Sequence, residues 1–168
     1  KDHDVNILSR VSETNWTLAN VNYSSTVSAP VLAAPSTVGS GPGSYNKDYS
    51  YVVTTVNTDG VESLPSNVGN ITAGSLTTTS GAHLSWAAIT GADYYRIYKD
   101  TSNASGVYGW IGDSKVTTFD DFNMAPVVSD SPPSERTPFA GSGNKPSVVN
   151  YYGQRQVFAN TDNEPRAF

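Results

Sequence analysis

Five side chains on two neighbouring segments are best equipped to meet a ligand: Tyr94, Arg96 and Tyr98 in YYRIYK, and Tyr108 and Trp110 in VYGWIG. The first three recur every second residue, the period at which an extended strand returns to one face, so they would form a tyrosine–arginine–tyrosine row. Outward aromatics of this kind can stack on sugar rings or pack against another subunit. They can equally pair across strands and cover their own sheet, with the Arg96 guanidinium stacked among the rings. All three uses need a sheet that holds the row in place.

Acid–base and metal chemistry find less support. His3 and His83 lie far apart in sequence, and no nucleophile elbow, zinc-protease helix or phosphate-binding loop accompanies them. Gly141-Ser-Gly-Asn-Lys145 lacks the phosphate-loop spacing and is followed by Pro146. The acid pairs Asp59/Glu62 and Asp120/Asp121 could flank a sugar as glycosidase carboxylates do, but both fall at turns, where acidic residues are ordinary. Asn57-Thr-Asp59-Gly60-Val-Glu62 begins like a calcium loop, yet Val68 stands at the twelfth position, where the carboxylate ligand belongs. The sequence therefore assigns no catalytic residue, no metal ligand and no cofactor. Sequons at Asn15, Asn22, Asn70 and Asn103 follow from the abundance of Asn, Ser and Thr.

Composition narrows the partners. Ten Lys and Arg against fifteen Asp and Glu give a net charge of −5, which argues against holding nucleic acid by its phosphates. There is no cysteine, hence no disulfide framework, zinc knuckle or thiol nucleophile. No apolar run approaches the roughly 20 residues that a membrane-spanning helix needs, and Lys1 opens no signal-peptide pattern. The chain starts without Met and reads as a fragment of a longer protein.

The elements that would position the row are strands. HLSWA at His83–Ala87 and YYRIYK at Tyr94–Lys99 are joined by a bend at Thr90-Gly91-Ala92. Alternation directs Leu84 and Trp86 to one face, and Tyr95 and Ile97 to one face of the second strand, so a common core is required. Tyr49–Asn57 places Tyr49, Tyr51, Val53 and Thr55 on one face, with Val52 and Val56 making the other face apolar too. Asp59-Gly60 is a hairpin turn, followed by strands near Val68–Thr72 and Leu76–Thr79 and a turn at Ser80-Gly81. Val107–Gly112 and Val116–Phe119 follow the polar loop 101–106. Upstream, Val5–Val11 pairs with Trp16–Tyr23, the latter slipping at Ala19-Asn20 as at a bulge. Pro30 and Pro35 mark an edge strand or entry linker, Gly39–Ser44 a flexible loop, and the prolines beyond Asp120 an exit linker. Ser147–Tyr152 and Gln154–Ala159 close the chain as a strand pair. Turn signals about every ten residues predict an all-β sandwich.

With these strands placed, residues 29–137 resemble a fibronectin type III domain, an immunoglobulin-like β-sandwich, through Leu84-Ser-Trp86, Tyr94–Lys99 and YSYVVTTVNTDGVESLPS at Tyr49–Ser66. The last element normally comes late in that family and here precedes the first, which leaves open a non-standard strand order. The whole chain is similar to a narrower group, the nozzle or tail-tubular proteins of short-tailed bacteriophages. Ile7–Arg10 with Trp16–Leu18, Val107–Gly112, FDDFNMAPVVSDSPP at Phe119–Pro133 and KPSVVNYYGQRQVFANTDNEP at Lys145–Pro165 carry the likeness.

That resemblance implies a non-enzymatic virion protein of the phage tail, made in the bacterial host cytoplasm. Residues 1–28 and 138–168 would be strands of a parent body, and residues 29–137 a sandwich inserted for tail assembly or host-surface contact. It also implies a ring of copies, usually hexameric, adjoining other tail proteins and surrounding the DNA exit channel, with no membrane partner. An acidic lumen that does not bind phosphate would let DNA slide. The alternative is a non-catalytic carbohydrate- or surface-binding module of a bacterial extracellular protein. In either reading Tyr94, Arg96, Tyr98, Tyr108 and Trp110 are the residues expected to meet a partner or host-surface glycan.

Overall fold

A computed structural model of the chain describes residues 3–21, 25–39, 46–102, 105–134, 139 and 141–163. The glycine-rich loop at 40–45, the sequons at Asn22 and Asn103, the expected strand end at Tyr23 and the boundary at Thr137 lie outside these residues. Eleven β-strands and no helix occur among the described residues. The chain divides into two compact units, one of residues 25–134 and one assembled from 1–24 and 135–168.

Residues 25–134 form a β-sandwich. One sheet has three strands in the order β3-β6-β9, namely Ser36–Gly39, Ser80–Ser85 and Thr118–Asp121. The other has four in the order β5-β4-β7-β8: Gly69–Ala73, Lys47–Asn57, Ala92–Asp100 and Tyr108–Ser114. All pairings are antiparallel. The faces turned inward follow the alternation of the sequence. Tyr51, Val53, Tyr95, Ile97 and Ile111 from the four-stranded sheet pack with Ala82, Leu84 and Trp86, and Leu32 and Leu76 close the cluster. Trp86 meets Tyr95 edge to face at 5.3 Å between ring centroids, the arrangement that aromatic quadrupoles favour.

The central hairpin shows how local chemistry sets the register. β4 turns at Asp59-Gly60, where Asn57 Oδ1 accepts the Asp59 and Val61 amides, so the calcium-like run is a capped turn. The returning chain reaches Ser63-Leu64-Pro65-Ser66, which cannot form a regular ladder because Pro65 has no N–H. The flanking serines carry the pairing instead: Ser63 N and Ser66 N donate to Thr55 O and Val53 O, while Thr55 N and Val53 N donate to Ser63 Oγ and Ser66 Oγ.

Four expectations about the strands of the sandwich need correction. Leu76–Thr79 is not a strand, because Thr77 Oγ1 accepts the amides of Thr79 and Ser80 and turns the chain there. Ser80-Gly81 consequently starts β6 instead of ending a strand. The exit-linker text begins too early, since β9 runs through a fully buried Asp121. Gly39 ends a sandwich strand, β3, instead of opening the flexible loop.

The second unit contains two hairpins. β1 (Asn6–Arg10) pairs with β2 (Trp16–Asn20) in unbroken register from Asn6↔Asn20 to Arg10↔Trp16, so no bulge interrupts them. β10 (Val148–Tyr152) pairs with β11 (Arg155–Ala159). Lys145 Nζ lies 2.8 Å from Asp4 Oδ1, and Val5 and Asn6 share a cavity of about 180 Å³ with residues 146–149 and Phe158. Every residue of β1, β2 and β10 is exposed, including Ile7, Leu8, Trp16, Leu18, Tyr151 and Tyr152.

Candidate functional site

The predicted row lies on the outer face of the four-stranded sheet. Tyr94, Arg96 and Tyr98 of β7 sit opposite Val56, Thr54 and Val52 of β4. On the other side Tyr98 pairs with Trp110 and Arg96 with Asp113. Residues 110 and 113 would face opposite ways in a regular strand. A bulge between Ile97 and Tyr98 in the β7–β8 register lets Ile111 enter the core while Trp110 and Asp113 share the outer face.

Arg96 is the centre of this face. Its guanidinium grips Asp130 with two nitrogens, lies 3.7 Å from Glu62 Oε2 and 3.5 Å from Asp113 Oδ1, and stacks over the rings of Tyr98 and Trp110 at 5.6 and 5.9 Å. Glu62 Oε1 also accepts the Tyr98 hydroxyl at 2.7 Å and the Thr54 hydroxyl at 2.6 Å. The Trp110 indole donates to Asp113 Oδ1 at 2.7 Å. Burial first, then the bond to Glu62, pushes the Tyr98 phenol well above its ordinary value, so it remains a donor.

Two irregular segments cover these residues. The chain around Glu62 crosses from the β4 edge, where Val56 bridges Glu62. The segment around Val127 to Asp130 runs along the open edge of β8, with Trp110 N donating to Asp130 O at 2.9 Å and Val127 N to Trp110 O at 2.9 Å. The approach is so close that a Cβ on Gly109 would stand 2.9 Å from Pro126. This strap protects a sheet edge that would otherwise offer unpaired backbone groups.

The row therefore comes together but is not a free surface. Tyr98, expected to meet a partner, is fully buried under the segments that bring Glu62 and Asp130 to it. Arg96 is spent on three carboxylates, and Tyr94, Tyr108 and Trp110 are half-buried. Sequence reasoning missed Asp113 and Asp130. The acidic partners were recognisable only as the natural complement of an Arg on a covered sheet face.

A second charged cluster lies inside the sandwich. Lys99 Nζ is 2.8 Å from Asp121 Oδ2, which also accepts the Tyr51 hydroxyl at 2.9 Å. Asp121 Oδ1 accepts the Met124 amide at 2.7 Å, and Lys99 donates to the Met124 carbonyl at 3.2 Å. Burial and the Asp121 carboxylate push the Tyr51 phenol far above its ordinary value. His83 sits apart, half-exposed on the three-stranded sheet with Nδ1 2.5 Å from Asp120 Oδ1. The described residues contain no group of three or more metal-ligating side chains.

No protein-family model matches the chain, and no curated protein matches it significantly.

Proposed function

We propose that the chain is a structural, non-catalytic segment of a short-tailed bacteriophage tail protein of the nozzle or tail-tubular kind, acting in the virion. The observation that carries this reading is the discontinuous unit. Residues 1–24 and 135–168 cluster together although the sandwich separates them in sequence. Two-stranded hairpins are marginal alone in water, and these expose large apolar side chains on both faces. In this reading their missing neighbours are strands of a parent body, and residues 25–134 are an insertion into it.

The strand order supports the fibronectin-like part. The hairpin β4–β5 stands beside β7 in the order β5-β4-β7, as strands G, F and C do in an immunoglobulin-like sandwich. Here that hairpin precedes β6 and β7 in the chain instead of following their counterparts, so the strand order departs from the family's. The covered face counts against a glycan platform at Tyr98, because Tyr98 and Trp110 already bond Glu62 and Asp113 and stack on Arg96.

Sedimentation of the full-length protein tests the reading. A ring-shaped oligomer, encoded beside portal, adaptor and tail-fibre genes, is the expected result. A monomer encoded among secreted glycan hydrolases would overturn it.

A further inference from the structure

One pole of the sandwich, where β4 begins and β7 ends, carries a cleft of about 580 Å³ that the row on the outer face does not use. That volume falls within the roughly 300–1,000 Å³ of small-molecule sites. Its walls are the start of β4 at Asn46–Tyr49, the end of β7 at Lys99–Ser102, and the turn 123–126.

The cleft is set before any ligand arrives. Lys99, with 7% of its side chain accessible, lines the cleft, and Asp121, with none, pairs with it from beneath the lining. Together they hold both backbone polar groups of Met124, and Asn123 beside it adopts a left-handed φ of 67°. The Tyr49 ring is fixed as well, its hydroxyl accepting the Leu76 amide and its face meeting Lys99 Nζ at 5.2 Å. A wall positioned by buried charges needs little ordering on binding.

The lining decides the ligand class. Lys47 and Lys99 are balanced by Asp48 and Asp100, and Lys99 is already neutralised by Asp121. Asp100 is occupied by Ser102 N, Ser105 Oγ and Gly106 N, and Asp48 by the Thr72 hydroxyl. A polyanion would find one uncommitted ammonium at most, and a divalent cation no open carboxylate pair. What remains is the amides of Asn46 and Asn123 beside the apolar surfaces of Tyr49, Met124 and Pro126. Amides donate and accept at once, which suits vicinal hydroxyls, and an apolar wall suits the C–H face of a ring. We propose that this cleft binds a neutral polyhydroxylated ligand, one sugar ring or a short saccharide. The inference is independent of the tail-protein reading.

Amide chemical shifts of the whole 168-residue chain, titrated with glucose, galactose and N-acetylglucosamine and separately with inorganic phosphate, provide the test. The expected result is saturable shifts with at least one sugar, confined to residues 46–49, 99–102 and 123–126, with a Kd of about 1 mM. Ala125→Trp should abolish them by filling the cleft. Asn123→Gly, which suits the left-handed backbone, should weaken binding about fivefold, one hydrogen bond's worth, and carries the test alone if the tryptophan variant misfolds. Silence with all three sugars, shifts at Tyr94, Tyr108 and Trp110 instead, or tighter binding of phosphate would each overturn the assignment.

Discussion

Replacing Asp121 by alanine should destabilise the sandwich by about 3–5 kcal/mol, the range for breaking a buried ion pair by removing one partner. Asp121 is fully buried and accepts from Lys99, Tyr51 and the Met124 amide. Alanine leaves all three donors without a carboxylate, and Lys99, at 7% accessibility, cannot easily reach water. Lys99→Met should cost less, because Asp121 keeps the Tyr51 hydroxyl and the Met124 amide. The double variant should then be more stable than the summed single effects by about 2–3 kcal/mol, since it no longer buries an unpaired charge. Urea denaturation followed by tryptophan fluorescence, to which the core residue Trp86 contributes with Trp16 and Trp110, measures all corners of the cycle. An Asp121→Ala cost below about 1 kcal/mol, or strict additivity, would show that the pair is solvated and would refute the reasoning.

Other outcomes follow from the same geometry. Trp86→Ala should cost about 3–5 kcal/mol in urea denaturation, because the indole is core-buried against Tyr95. Thr55→Val should stabilise by about 1–2 kcal/mol, since Thr55 Oγ1 is buried without a partner and valine has the same shape; a loss of stability would mean that the hydroxyl is hydrated. Tyr51 and Tyr98 both have raised phenol pKa values, so their contribution is complete below the unfolded value near 10 and falls as pH rises above it. The loss should be about 1.4 kcal/mol per pH unit for each, or about 2.7 for both, and Tyr51→Phe should reduce the slope by about half. A flat stability profile between pH 10 and 12 would contradict their burial.

The alternation of Leu84 with Trp86 and of Tyr95 with Ile97 was enough to locate the core, because side chains two apart share a face whatever the loops do. The same rule put Tyr98 outward, correctly, but outward is not exposed. Its cover comes from Glu62 and Asp130, which belong to irregular segments whose paths no periodicity reports. Asp121 was illegible for a related reason: an aspartate before a proline-rich run looks like linker, and only the approach of Lys99 makes its burial tolerable. The bulge that turns Trp110 and Asp113 to one face likewise depends on the partner strand. The polar cleft at 46–49 and 123–126 has no sequence signal, since asparagines beside turns are commonplace.

Strand β7 ties these observations together. It carries one cation on each face, Arg96 outward and Lys99 inward, and the carboxylates that neutralise them come from neighbouring strands and covering segments: Asp113 of β8 with Glu62 and Asp130 of the covering segments on one side, Asp121 of β9 on the other. Such pairs contribute little net stability, because desolvation offsets attraction. Their directional bonds can still fix where an irregular segment rests, and both the strap along β8 and the turn at Met124 end on these cations. On the outer face Arg96 is consumed in holding the strap, and Tyr98 and Trp110 are bonded to Glu62 and Asp113. At the pole, the same kind of pairing leaves a cleft with its wall already placed, and that is why a small ligand belongs there and not on the tyrosine row.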